Sequence, residues 1–180
     1  MPIEIRRATE ADGDAIAAIY NQGIEDRGAT FETEFRTAAE MSARTADGAR
    51  FPMLVALDGD TVLAWAGLSS YRARACYSGI AEFSIYVERD ARGRGIGREL
   101  LTSLVDAARD AGYWKLVSRI FPFNAGSRAV CKACGFREVG TYEKHGCLDG
   151  NWLDVVIVER LIPENLMGSA ASKPASPQDA

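Results

Sequence analysis

Between an apolar run that ends at Val87 and another that begins at Ile96, the chain reads Glu88-Arg-Asp-Ala-Arg-Gly-Arg-Gly-Ile-Gly-Arg98, with three glycines at alternate positions and four arginines. Such a segment joins a strand to a helix. Residues 81–87 have the apolar and hydroxyl-bearing composition of a strand. Ile96, Leu100, Leu101, Leu104 and Val105 then recur at helical spacing over 95–111, until Gly112 stops the pattern. Glycines let backbone approach a guest closely, and the first N–H groups of a helix point out of its end unpaired. The guest that fits this joint is a pyrophosphate. Two other phosphate loops are excluded by spacing. A Walker-type loop needs a lysine and a hydroxyl after its last glycine, and a dinucleotide fingerprint needs G-x-G-x-x-G in a first strand–helix unit. Here the glycines are spaced two by two in mid-chain.

The flanking elements predict one mixed α/β domain. Residues 3–7 alternate as a first strand, and Thr9 caps a helix running through Asp14, Ile16 and Ile19. Residues 52–57 and 61–70 form a hairpin about Asp58-Gly-Asp60. A strand at 114–120, a helix at 124–134 and closing strands at 137–143 and 152–161 complete a domain over 1–162. The Ser-, Ala- and Pro-rich end, 163–180, reads as a flexible tail. With 21 basic and 25 acidic residues the net charge is −4, which gives no reason to expect a nucleic-acid partner. No stretch approaches the roughly 20 apolar residues of a membrane helix, and the opening residues carry no signal core, so no membrane association and a cytoplasmic location are expected. Cys131 and Cys134 form a lone C-x-x-C in a chain with one histidine. With Cys76 and Cys147 they are expected to be free thiols, and no metal is expected.

The Arg92-Gly-Arg-Gly95-Ile-Gly97 loop resembles that of the GNAT acetyltransferase superfamily. Asn124-Ala-Gly-Ser127 and Gly135-Phe136 fall where those enzymes have a CoA-contacting helix and its exit. Further segments narrow the likeness: Thr30-Phe-Glu-Thr-Glu34, Tyr71-Arg-Ala-Arg74, Ala81-Glu-Phe-Ser-Ile-Tyr-Val87 and Asn151-Trp-Leu-Asp-Val155 are similar to phosphinothricin N-acetyltransferases. Leu116-Val-Ser-Arg-Ile-Phe-Pro122 is similar to the arsinothricin-resistance members. The resemblance spans residues 3 to 161 and implies a mostly antiparallel twisted sheet whose fourth and fifth strands are parallel and splayed, with helices on both faces. It also implies acetyl-CoA as cosubstrate, a homodimer, and an amino-acid analogue with a phosphinate, arsinate or sulfoximine head as acceptor.

Carried onto this chain, the resemblance makes Glu82 the general base, because only a neutral amine attacks a thioester. Ile85, Tyr86 and Val87 would lie along the pantetheine, with the Val87 N–H as oxyanion donor. Arg92, Gly93, Arg94, Gly95, Ile96, Gly97 and Arg98 would hold the pyrophosphate, joined by Asn124 and Ser127. Arg72 and Arg74 are candidates for the acceptor's anion, since a guanidinium fork suits carboxylate, phosphinate or arsinate. Phe31 is a candidate for its aliphatic part, on a loop that lids the site. His145 sits in Lys144-His-Gly146, a string those enzymes also carry. Aligned on the following Asn-Trp-x-Asp-Val, however, their histidine matches Asp149. Many GNAT enzymes protonate the leaving thiolate with a tyrosine, and that position here is Cys131, leaving Tyr142 or water as candidates. The residues alone leave open a different amine, a protein N-terminus, or an acyl-CoA-binding sensor without catalysis.

Overall fold

The computed structural model describes residues 3–168. Its elements are β1 (Glu4–Arg7), α1 (Gly13–Glu25), α2 (Ala38–Thr45), β2 (Met53–Asp58), β3 (Thr61–Ser70), β4 (Ile80–Val87), α3 (Ile96–Asp110), β5 (Lys115–Ile120), α4 (Ala125–Ala133), β6 (Arg137–Leu148), β7 (Asn151–Leu161) and α5 (Pro163–Gly168). They build one seven-stranded sheet in the order β1-β2-β3-β4-β5-β7-β6. Every pairing is antiparallel except β4 with β5. This is the mixed sheet that the resemblance implied.

Two cores lie on opposite faces of the sheet, and the strand sequences alternate between them. In β2, Leu54 and Ala56 join the core beneath α3 and α4, while Met53, Val55 and Leu57 join the one beneath α1 and α2. Burial on both faces is why β2 reads as an unbroken apolar run. The α3 stripe of Ile96, Leu100, Leu101, Leu104, Val105 and Ala108 is fully on the first core. At one end of the chain, Asp12 closes the turn into α1. It accepts from Arg6 through two bonds of 2.8 Å and from the Thr9 N–H at 2.7 Å.

The Arg6 guanidinium, aided by Thr9, holds the Asp12 carboxyl down to about 2, against the opposing effect of burial. A carboxyl whose folded value lies below its unfolded value contributes stability above the unfolded value, and loses it as pH falls through the folded one. The carboxylate is therefore worth about 2 kcal/mol at neutral pH. Urea melts of Asp12→Asn should show that deficit at pH 7, closing between about pH 4 and pH 2.

Three sequence expectations change. The strand expected over 137–143 runs on to Leu148, because a bulge between Tyr142 and Gly146 lets it resume pairing with β7. Lys144 takes a φ of 47° within that bulge, its N–H held by Asp154 at 2.7 Å. The segment set aside as a tail begins with the helix α5, tied down by Asn165 donating to Arg109 O and Tyr113 O at 2.7 and 2.9 Å. The rest of that segment, 169–180, lies outside the described residues. Finally, Thr9 caps a single 3-10 turn, Glu10–Asp12, which then leads into α1.

Candidate active site

Parallel strands β4 and β5 pair over only three positions, Ile80↔Lys115, Ala81↔Leu116 and Glu82↔Val117, and then diverge. Glu82 stands at that fork. Beyond it one edge of β4 has no strand neighbour among the described residues. Glu88 donates to Leu63 O on the β3 side, so by strand alternation the Val87 N–H faces the opening. Ser118 Oγ reaches Phe83 O at 2.9 Å from the β5 side, which gives the same parity to the odd-numbered residues.

Two cavities meet over the opening, of about 540 and 520 Å³. They share Ala29, Ile85, Tyr86, Asn124 and Ser127 as a common wall. The first contains Glu82, Phe31, Arg119 and His145. The second contains Val87, Arg92, Gly93, Gly95, Ile96, Gly97 and Arg98. Of the residues expected to hold the cofactor, Arg94 alone is absent from its lining and instead pairs with Asp58 at 3.2 Å.

Around the second cavity the backbone and Arg98 are free for an anion, while Arg92 and Arg94 are held in ion pairs. Gly93 and Gly95 take φ of 80° and 84°, and a Cβ on either would meet nothing within 4 Å. Gly95 is the left-handed cap from which α3 starts. The N–H groups of Ile96 and Gly97, in the first turn, have no carbonyl one turn earlier to pair with. Arg92 pairs with Asp26 at 2.8 Å, and the Asp26 carboxyl is held below its usual range by Arg89 and then Arg92. Arg98, exposed at the mouth, makes no ion pair among the described residues. Open space above two positive-φ glycines, unpaired donors and an apolar flank at Ile85, Val87 and Val130 fit the pyrophosphate and pantetheine of an acyl-CoA. Asn124 has a structural task as well. Its side chain caps α4 by accepting from the Ser127 N–H at 3.0 Å and donates to Gly28 O at 3.0 Å, which fastens the loop after α1 over the shared wall.

In the first cavity, Arg119 grips Glu82. Its Nε lies 3.1 Å and its Nη2 2.5 Å from Oε1, and Nη2 also reaches Oε2. The carboxylate raises the guanidinium's own affinity for its proton. Sequence reading did not single out Arg119. It follows Val117, the partner of Glu82, by two residues and so projects on the same face. Tyr20 and Tyr86 form the floor. Their rings meet edge to face at 4.7 Å, and burial pushes both hydroxyls up. Gly23 lets α1 lie on that floor, since a Cβ there would sit 2.7 Å from the Tyr86 ring.

Phe31 packs edge to face on Phe121 at 4.8 Å and over Gly146, where a Cβ would come within 2.7 Å of the ring. His145 beside it lines the cavity. Asp149 does not: it forms the two-residue β6–β7 turn with Gly150, at φ of 48° and 81°, and pairs with Arg27 at 2.9 Å. The bulge in β6 brings the histidine to the site despite its offset in sequence. Arg72 and Arg74 precede β4 in the chain, yet neither lines either cavity; Arg72 lies 5.2 Å over the Tyr71 ring. Cys131 is buried against the α3 core, where burial pushes its thiol up to about 12, and it lines neither cavity, so it does not reach the site. Tyr142 is about half exposed on β6, its ring 5.1 Å from that of His145, and it lines neither cavity. Cys76 and Cys147 are exposed free thiols. Among the described residues no three His, Cys, Asp or Glu cluster as metal ligands, and no helix is long and apolar enough to cross a membrane.

A sheet forked beside a glycine-capped helix, with a carboxylate at the fork, defines the class of enzymes that transfer an acyl group between two substrates held on either side of a strand. The chain belongs to the acetyltransferase (GNAT) family, whose pattern matches residues 16–136. A phosphinothricin N-acetyltransferase of Alcaligenes faecalis is 34% identical over 87% of this chain and 81% of its own length. An L-methionine sulfoximine/L-methionine sulfone acetyltransferase of Pseudomonas paraeruginosa is 35% identical over 88% and 94%. The crystal structure of a GNAT-superfamily phosphinothricin acetyltransferase from Sinorhizobium meliloti in complex with AcCoA superposes with a TM-score of 0.83, at 34% identity, over 90% of this chain and 89% of that one.

Proposed function

We propose that this acetyl-CoA-dependent N-acetyltransferase acts on the α-amine of a glutamate-like amino acid with a phosphinate, arsinate or sulfoximine head, and so detoxifies it. One observation carries the reading. The cavity at the fork holds one carboxylate and one guanidinium, and it opens onto a separate cleft built around glycines and helix N–H groups. Relatives named for phosphinothricin and for methionine sulfoximine support the acceptor class. The homodimer belongs to the same proposal, supported by apolar side chains exposed on the β6–β7 edge, Val139, Tyr142 and Trp152.

In this reading Gly93, Gly95 and the start of α3 hold the pyrophosphate, and Ile85 to Val87 line the pantetheine. Bound there, acetyl-CoA supplies an activated acetyl thioester. Glu82 takes the proton of the acceptor's ammonium, and the amine attacks the carbonyl carbon. The new N–C bond forms and the C–S bond breaks, its electron pair leaving with the thiolate; the second proton, which the nitrogen sheds on becoming an amide, passes through water to that thiolate, and Glu82 returns its own proton to solvent. The Val87 N–H faces the position where negative charge builds on the carbonyl oxygen. Phe31 covers the aliphatic part of the acceptor, and His145 lies beside it.

A panel of acceptors assayed with acetyl-CoA tests the assignment: phosphinothricin, arsinothricin, methionine sulfoximine, glutamate, an aminoglycoside and a peptide N-terminus. The first three are expected to exceed the others in kcat/KM by at least about tenfold, the scale of one charge-assisted hydrogen bond. Preference for the peptide or aminoglycoside would sink the acceptor class.

A further inference from the structure

We infer that Arg119 is the receptor for the acceptor's anionic end, and that by turning to that anion it releases Glu82, so the base is set free by the substrate that requires it. The inference rests on Glu82 as the base and deepens that reading by naming what recognises the substrate. Among the described residues lining the acceptor cavity, Arg119 is the one permanent cation and Glu82 the one carboxylate; His145 is the one imidazole. The two arginines favoured by sequence lie outside that lining.

In the present arrangement the base is occupied. Both carboxylate oxygens of Glu82 accept from Arg119, which takes lone pairs that an ammonium would need. The clamp is also weak enough to exchange. Arg119's side chain is 48% exposed, and ion pairs of that exposure contribute little. Its Nη1 makes no hydrogen bond among the described residues, so an incoming carboxylate, phosphinate or arsinate can engage Nη1 and Nη2 as a fork before the Glu82 contacts are lost. The exchange replaces one anion on the guanidinium by another. Glu82 is then left facing the acceptor's own ammonium, the partner from which it takes a proton. Tyr71 from the β3–β4 connection and Tyr142 from β6 also act on Arg119, while His145 and Cys147 of β6 and Tyr20 of α1 share the cavity; none of them is a second guanidinium.

The consequence is a specificity that acts on kcat as well as on KM: an amine without an anion leaves the base clamped. The test uses Arg119→Gln and Arg119→Lys with phosphinothricin and with norvaline amide, which has a comparable chain and no anion. In the wild type, kcat for norvaline amide should be at least about tenfold below that for phosphinothricin. Arg119→Gln should raise KM for phosphinothricin about 10²-fold. It should also raise kcat for norvaline amide toward the phosphinothricin value, with Tm and KM for acetyl-CoA unchanged. Arg119→Lys should restore part of the phosphinothricin affinity. Equal losses for both acceptors, or no change for either, overturn the inference.

A second measurement needs no turnover. Methylphosphonate alone should shift the Arg119 Nε–H resonance, and Glu82→Gln should tighten its binding several-fold by replacing the charged competitor with a neutral, weaker one. An unmoved resonance, or unchanged affinity in Glu82→Gln, overturns the inference whatever the activity shows. A protein that binds methylphosphonate through Arg119 but acetylates nothing in the panel would instead refute the proposed reaction.

Discussion

Glu82→Gln is expected to lower kcat by about 10²–10⁴-fold at neutral pH, the range for loss of a general base. Glutamine keeps the size and the hydrogen-bonding oxygen of the side chain, so Arg119 still has an acceptor and the fork still has its filler. What is lost is a place to put the ammonium's proton. KM for acetyl-CoA should not change, because Glu82 lines the acceptor cavity and is absent from the lining of the glycine cleft. Stability should fall by no more than about 1 kcal/mol, as befits a half-exposed ion pair. Full turnover in this variant across pH 6 to 9 would move the base elsewhere.

Gly95→Val is expected to raise KM for acetyl-CoA by about 10²-fold, equivalent to about 2.7 kcal/mol. Gly95 takes a φ of 84°, where a β-branched residue is strained, and it is the residue from which α3 begins. Relief of that strain turns the first N–H groups of the helix away from the cleft. The side chain would also occupy the open space above the loop, where a glycine Cβ meets nothing within 4 Å. Gly97→Ala is the contrast. Gly97 has no positive φ, and its Cβ would make ordinary contacts of 3.5 Å to Val87 and 3.7 Å to Val130, so KM should stay near the wild-type value. Equal KM values for the two variants would separate the loop from cosubstrate binding.

The glycine loop and its helix were legible because their signals are local: a periodic apolar stripe, glycines at a cap and an apolar strand before them. Glu82 was legible as a carboxylate in an apolar strand. Arg119 was hidden, because an arginine in a strand reads as a solvent-facing residue until the parallel register of β4 and β5 places it beside Glu82. That register joins residues far apart in the chain. Arg72 and Arg74 are the opposite case: close to β4 in the chain, they lie outside the lining of both cavities. His145 reaches the cavity through a bulge, and an extra residue or two in a strand leaves no mark on a composition pattern. The helix α5 was masked by its neighbours: the Ser-, Ala- and Pro-rich stretch after it dominates the composition of the segment, while its anchor is one asparagine bonded to the end of α3.

With the donor in the glycine cleft and the acceptor beside Glu82, as proposed, the two cavities that share a wall at Ile85 and Tyr86 give each substrate its own door. Neither has to leave before the other enters, so the acetyl group can cross directly within a ternary complex, without being parked on the protein. Initial-rate lines at several fixed acceptor concentrations are therefore expected to converge; parallel lines would place the acetyl group on the protein between two half-reactions. The free thiol product can depart through its own door while the acetylated amine is still in place.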